Sequence, residues 1–490
     1  MSRTTKNVCI GCSDAEPCSN GGRRSPRDSR HLSPAIRAMS PCGLPWQGCS
    51  CDPDGEGTRN ENSNGCAHCP RRSKEWTNWP GNWPRPRANW FQTMLHESTQ
   101  NSRAMLIQLA RLGDLVQSLP AIEALVDADP ETPLDVLCSA PLATVLGEAR
   151  NIGRVIPWDG ARWRAWGEQW SEDPHGTLRA AQAYLAGLGE STYGRIYPLN
   201  QHNRSLLLTH LFSSPSVRAD WDDRSEARIR PWAEYLRQIA TRRGNNRVHL
   251  ADAWCGMSGV RPRGRAPLFQ PPAVELPDDL APIGERQGLW IALVTGAGET
   301  DRCVSPATWG RWTKEFLTQT DAGQVVLIGS GRERETGQAI LELIPTLLQG
   351  RVWDATGRTS IPQLMKLLHK CRWVIGADTG PLHLGTLMGS RAIGFYFSHA
   401  RVHETGPYGE GHWVYQHATQ APPDSWPIRE SIALICDDQR RAAADWTLWR
   451  NRMDHWGTSF DDGSEQERVE GARATVWRNL SPTLCESVAA

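Results

Sequence analysis

Two apolar runs in this chain each end in a short polar turn whose side chains could handle protons or phosphates. The run from Met105 to Ala110 breaks at Arg111-Leu112-Gly113-Asp114 and resumes with the spacing of an apolar helix. The run opening at Trp373 breaks at Asp378-Thr379-Gly380 and continues through Pro381, Leu382 and His383. Asp114 admits two roles. As a helix N-cap it accepts backbone N–H groups and suits the positive end of the helix dipole. At a cleft edge the same carboxylate could take the proton of an attacking hydroxyl. In the second turn, Pro381 read as the first helical residue puts Gly380 at the cap and turns the N–H groups of Leu382 and His383 toward an anion such as a diphosphate. Asp378 and Thr379 then add an acceptor and a hydroxyl for sugar hydroxyls, with His383 on the same edge. The competing reading makes Asp378-Thr379 a local turn and His383 a satisfied first-turn histidine. Gly296-Ala297-Gly298 and Gly329-Ser330-Gly331 are further glycine-rich segments, but neither completes a GxGxxG or a P-loop. Arg302, just beyond Gly298, could grip a phosphate bidentately, or could be an ordinary solvated arginine.

Such groups need strands to carry them to one edge. From residue 104 the pattern predicts strands at 105–110, 134–138 and 195–199, with helices near 115–128, 141–149, 176–188, 203–213, 231–243 and 248–259. Six prolines between 261 and 287 read as an interdomain linker. Beyond it the pattern predicts strands Leu289 to Val294, Gln324 to Ile328, Arg372 to Ile375 and Ala392 to Phe397. Helices are predicted over Pro306 to Thr318, Arg334 to Leu348, Ile361 to His369 and from Pro381. Ser360-Ile361-Pro362-Gln363 has the form of a capping box. Alternating β and α at these lengths predicts parallel sheets covered on both faces, in two lobes at 104–260 and 288–440. Open sheets of this kind bind ligands at the carboxyl ends of their strands. Trp446, Leu448 and Trp449 read as one more helix, and 457–490 as a polar tail.

The composition sets outer limits. The 490 residues carry 54 basic and 54 acidic side chains, so no net field argues for nucleic acid. Lysine occurs only at 6, 74, 314, 366 and 370, which leaves phosphates to arginines and backbone amides. The sequence has no apolar run of membrane-spanning length and no signal-peptide pattern at its start, and the expected compartment is the cytoplasm. Residues 1–103 are rich in Ser, Arg, Gly, Pro and Asn without any sustained period and read as a disordered arm, or as sequence preceding the native start at Met94 or Met105. Eight of the fourteen cysteines lie there. Cys9, Cys12, Cys66 and Cys69 have the paired spacing of a zinc site, but the gap between the pairs exceeds common zinc-ribbon spacings, and no metal is expected.

The segments LIQLARLGDLVQSLPAIEAL (106–125) and IGADTGPLHLGTLMGSRAIGFY (375–396) resemble the two signature segments of glycosyltransferase family 9, the lipopolysaccharide heptosyltransferases. LVTGAG (293–298), LIGSG (327–331) and GRTSIPQL (357–364) are similar to that family in order and position. The resemblance covers about 104–440. It implies an α/β fold of the GT-B type, two Rossmann-like lobes with parallel sheets facing across a cleft, the first for the acceptor and the second for a nucleotide-sugar donor. It implies an inverting transferase without a metal or other cofactor, with ADP-heptose as donor and a glycan or lipid-linked acceptor of the lipopolysaccharide core. Peripheral contact with the inner membrane would follow, and the oligomeric state is left open. By motif match Asp114 would be the general base, and Asp378, Thr379, Gly380 and His383 would bind the donor. Arg302 stands where the family commonly has lysine, although the Trp-Pro that follows there is absent here. Glu333 falls near a position that contacts the nucleotide. A nucleotide-sugar epimerase on the same scaffold and a non-catalytic nucleotide-sugar or glycan-binding protein are the alternatives.

Overall fold

A computed structural model of the chain describes residues 103–486 except 190–192, 201, 213–230, 284, 286, 398, 418–421, 442 and 465. The expectations for residues 1–102, including the disordered arm and the zinc-spaced cysteines, lie outside the described residues.

The first sheet contains β1 (Ala104–Gln108), β2 (Leu134–Ser139), β3 (Val155–Trp158) and β4 (Arg195–Pro198), in the order β3-β2-β1-β4 and parallel throughout. Every residue of β1 is buried, as a strand covered on both faces requires. The chain leaves β1 through a turn braced by Gln108, whose side-chain oxygen accepts the Ala110 N–H at 3.2 Å. It then enters α1 (Leu112–Ala128), which continues through Pro120. The strand β3 escapes the sequence reading; it is four residues long and contains Pro157. Proline is tolerated there because β3 is the edge strand. The helix expected at 141–149 is a run of 3₁₀ turns, Ala140–Glu148. The first lobe ends in α2 (Leu250–Met257), which is buried from Ala251 onward. Residues 261–287 hold no described helix or strand, yet Phe269, Leu276, Leu280 and Ile283 are buried in the core shared by both lobes.

The second sheet has eight strands: β5 (Leu289–Val294), β6 (Gly323–Ile328), β7 (Val352–Asp354), β8 (Trp373–Ala377), β9 (Arg391–Tyr396), β10 (Trp413–His417), β11 (Trp446–Asp454) and β12 (Gly457–Asp461). Their order is β12-β11-β10-β9-β8-β5-β6-β7. The strands from β5 to β10 are parallel and follow the 3-2-1-4-5-6 order of nucleotide-binding α/β folds, with β5 and β8 adjacent at the point where the winding reverses. Helix α3 (Gly380–Leu387) starts at the carboxyl end of β8. The helix expected over Arg334 to Leu348 is two pieces, Arg334–Glu342 and Thr346–Gln349, separated by Pro345.

The carboxyl-terminal reading needs correction. Trp446, Leu448 and Trp449 belong to β11, which pairs antiparallel with β10 and β12, so the sheet is mixed. Trp446 and Leu448 are buried while Thr447 and Trp449 are half-buried, which is the period of a strand. Residues 457–490 are not a tail either. After β12 comes α4 (Gln466–Leu480), which returns to the first lobe. Its fully buried Trp477 packs on Trp232 with ring centroids 4.6 Å apart, and Ser481 beyond it accepts the Trp232 indole N–H at 2.7 Å.

Candidate functional site

The carboxyl ends of β5 and β8 open beside the turn that follows β1, so the two polar turns meet where the lobes touch. Glycines stand on both sides of this contact. A Cβ on Gly113 would lie 3.1 Å from the His383 ring and 3.6 Å from the Gly380 Cα, and one on Gly380 would lie 2.8 Å from the Leu112 side chain. Larger residues at either position would hold the lobes apart.

Asp114 is not the N-cap of its helix. Arg111 is the cap, Asp114 sits three residues in, and its Oδ2 accepts the Arg111 N–H at 3.1 Å. The apolar spacing after Asp114 concealed this start, because the helix has one polar turn before its apolar face begins. The carboxyl is half-buried. Burial raises its pKa above the ordinary aspartate value and the nearby Asp378 charge adds to that, against opposing contributions from the Arg111 N–H and His383.

Asp378 is held from every side. Its Oδ1 lies 3.1 Å from His383 Nε2 and 3.4 Å from the Tyr396 hydroxyl, which donates to the Thr405 carbonyl at 2.6 Å, while its Oδ2 accepts from the Thr405 hydroxyl at 2.9 Å. Arg302 Nη1 donates to the Asp378 carbonyl at 3.2 Å and stands 3.7 Å from Oδ2. Burial alone would raise this carboxyl, but His383, Thr405 and Arg302 together bring it below the ordinary value. Asp378 is therefore an anion whose lone pairs are largely taken up. Arg302 is correspondingly not a solvated loop residue. It is buried, reaches Glu299 at 3.4 Å through Nη2, and keeps a buried Nε with no protein partner.

The cap of α3 also differs from the sequence reading. The helix begins at Gly380 with Thr379 as N-cap, and Pro381 is second rather than first. Proline fits anywhere in a first turn, so its presence did not fix the register. The N–H groups of Leu382 and His383 turn back to the Thr379 carbonyl at 3.1 and 3.4 Å, leaving Gly380 to head the helix. Thr379 Oγ1 is buried without a partner. Its hydroxyl and the Gly380 N–H are the groups available to an anion here.

Glu333 stands apart. Its Oε2 accepts both the N–H and the hydroxyl of Ser330, at 2.7 and 2.6 Å, and its side chain lies over Gly296 and Gly329 at the ends of β5 and β6. No bond joins it to the Asp378 group. Among the described residues, Glu299, Asp301 and His399 bring potential ligand atoms within 4.8 Å of one another. Glu299 also faces Arg302 and, at 3.9 Å, Arg111, so a cation there would compete with two guanidiniums.

Three residues of this site were missed from sequence. Gln117, three residues after Asp114 on the same helical face, reaches the His383 ring at 3.2 and 3.3 Å and the Thr405 carbonyl at 3.2 Å. That spacing was a usable signal. Thr405 and Tyr396 lie on elements whose sequence gives no hint of Asp378. Among the described residues no helix is long and apolar enough to cross a membrane.

Residues 308–425 match the glycosyltransferase family 9 (heptosyltransferase) model. The lipopolysaccharide core heptosyltransferase OpsX of Haemophilus influenzae is 33% identical over 84 residues, which make up 17% of this chain and 23% of that protein. The match thus spans less than a quarter of that relative's length. Among solved structures, E. coli heptosyltransferase WaaC with ADP is similar at 16% identity and a TM-score of 0.49, over 69% of this chain and 100% of that one. The family 9 glycosyl transferase of Veillonella parvula is similar at 16% identity and a TM-score of 0.48, over 77% of this chain and 98% of that one.

Proposed function

We propose that the chain is a glycosyltransferase of the family 9 (heptosyltransferase) type, which residues 308–425 match, and that it transfers a heptose-like sugar from ADP-heptose to a lipopolysaccharide core acceptor, inverting the anomeric centre without a metal. The observation that carries this reading is the juxtaposition across the lobe contact: a carboxyl with a raised pKa on α1 faces a helix N-terminus, a partnerless hydroxyl and a buried arginine on the second lobe.

In the proposed reaction Asp114 takes the proton of the acceptor hydroxyl as that oxygen bonds to the anomeric carbon. The bond from that carbon to the donor diphosphate breaks on the opposite face, and its electron pair leaves with the diphosphate. Negative charge growing there is met by the Gly380 N–H, the Thr379 hydroxyl and Arg302, fixed donors that need no reorganisation. Asp378 contributes by holding Arg302 and His383 in place, and Glu333 marks the side toward the nucleotide. Leu112 covers Gly380 in the present arrangement, so the lobes must part to admit the donor and close again to exclude water. The work is assigned to the cytoplasm, with peripheral contact at the inner membrane where the acceptor resides.

ADP release tests the reading. Protein supplied with ADP-heptose should release ADP only when a heptose-deficient lipopolysaccharide core is added, and treatment with EDTA should leave the rate unchanged. Isomerised sugar without any acceptor would instead identify an epimerase. Binding of the donor with no turnover on any core acceptor would identify a binding protein, and complete loss on chelation that metal restores would return the leaving-group role to a cation.

A further inference from the structure

We propose that Thr405 is a positioning residue: its hydroxyl holds one oxygen of Asp378 away from Arg302, so that the guanidinium stays available to the donor diphosphate. The two carboxylate oxygens of Asp378 face different partners. Oδ1 lies 3.1 Å from His383 Nε2 and 3.4 Å from the Tyr396 hydroxyl, while Oδ2 accepts from the Thr405 hydroxyl at 2.9 Å. Arg302 Nη1 donates to the Asp378 backbone carbonyl at 3.2 Å, but it stands 3.7 Å from Oδ2, too far for a hydrogen bond. A buried aspartate and arginine this near would ordinarily close into a short charge-assisted pair. Here the Thr405 hydroxyl claims Oδ2 instead, and Arg302 is braced through an uncharged carbonyl. Its other carboxylate contact, to Glu299 at 3.4 Å, involves a side chain that is 40% exposed and screened by water.

Thr405 can act as a fixed donor because its backbone is held from both lobes. Its carbonyl accepts from the Tyr396 hydroxyl at 2.6 Å and from Gln117 Nε2 at 3.2 Å, and the next carbonyl, that of Gly406, accepts from His249 Nε2 at 2.9 Å. Gln117 and His249 belong to the first lobe, whereas Thr405 ends the short helix Val402–Thr405 of the second. Both first-lobe side chains are buried, so water does not compete for these bonds. The Thr405 hydroxyl is thus aimed at Asp378 by a turn that the first lobe clamps, which couples contact between the lobes to the charge presented at the transfer site. This deepens the proposed transferase reading and rests on it for its catalytic meaning.

ADP affinity of the full chain, measured by calorimetry, tests the assignment without requiring turnover. Thr405→Val keeps the shape of the side chain and removes its donor, so Oδ2 can close on Arg302, and ADP should bind about tenfold more weakly. Thr405→Ser keeps the hydroxyl and should bind ADP as the wild type does. The effect should run through Arg302: in an Arg302→Ala background, adding Thr405→Val should cost no further affinity. Thr405→Ala, smaller and also without a donor, serves if the valine variant does not fold. Wild-type ADP affinity in a folded valine or alanine variant, a serine variant as weak as these, or a loss of the same size with and without Arg302 would overturn the inference. Wild-type protein that binds ADP but transfers no sugar to a core acceptor would sink the transferase reading and leave these affinities as they are, whereas wild-type protein that binds no ADP would sink both.

Discussion

The carboxylate of Asp114 accepts the Arg111 N–H at 3.1 Å, a bond that an asparagine amide oxygen could also accept. Asp114→Asn should therefore leave folding and ADP affinity nearly unchanged while transfer falls by about 10²- to 10⁴-fold, because the variant cannot take a proton. A fully active variant would make this carboxyl structural. The pH dependence carries the same argument further. A base works only when deprotonated, and burial raises the Asp114 pKa, so the acidic limb of kcat/KM should lie above the ordinary aspartate range and be absent from the residual activity of Asp114→Asn. Arg302 is a different case, since it both braces Asp378 and offers charge to the leaving diphosphate. Arg302→Ala should weaken ADP binding, measured by calorimetry, and slow transfer. Arg302→Lys, keeping a charge that can reach the Asp378 carbonyl, should retain part of both.

Between elements, backbone geometry decides which sequences are tolerated. Gly457 turns the chain from β11 to β12 at φ +98°, and a Cβ there would lie 2.0 Å from the buried Asp252 carboxylate. Gly457→Ala should cost more than about 2 kcal/mol in urea unfolding, since neither the backbone nor the carboxylate can yield freely. An alanine variant with wild-type stability would mean that this turn adapts. Most strands legible in the sequence share one property: β1, β2, β5, β6, β8 and β9 are apolar runs buried on both faces, and their runs alone announce them, whereas β4 was legible with only alternate residues buried. The strands β3 and β7 are short, β3 contains a proline, and β10 (WVYQH) ends in two polar residues, so pattern gives them little support. In β11 three apolar positions within four residues fit a helix as well as a strand until the pairing with β10 and β12 is known. The site divides likewise. Asp114 and the segment 378–383 were legible because each sits at a strand exit, whereas the contact of Gln117 with His383 joins residues 266 apart in sequence and depends on how the lobes pack.

At the scale of the molecule, the join between the lobes is polar at a point where it is also fully buried. Asp252 on α2 accepts the Tyr408 hydroxyl at 2.8 Å and the Thr458 N–H at 3.0 Å, both from the second lobe. Arg473 of α4 lies close by, donating to the Gly457 carbonyl at 3.2 Å and paired with Asp454. Burial pushes the Asp252 carboxyl up to about 8, against the opposing pull of Tyr408, Arg473 and Thr458. In the unfolded chain it titrates near 4. The folded form therefore holds a proton that the unfolded form has released throughout the interval from about pH 4 to about pH 8. Over that interval this group's contribution to stability is lost as pH rises, by about 1.4 kcal/mol for each pH unit at most, and the loss levels off above about pH 8. Asparagine has no proton to lose; its one amide oxygen can accept from only one of the two donors, so the variant starts from a lower stability that does not itself vary with pH. The melting temperature of Asp252→Asn should thus rise relative to wild type as the pH is taken from about 5 to about 8, and the difference should become constant beyond that. A difference that does not change with pH would show that Asp252 is ionised in the fold, with the Arg473 charge outweighing its burial.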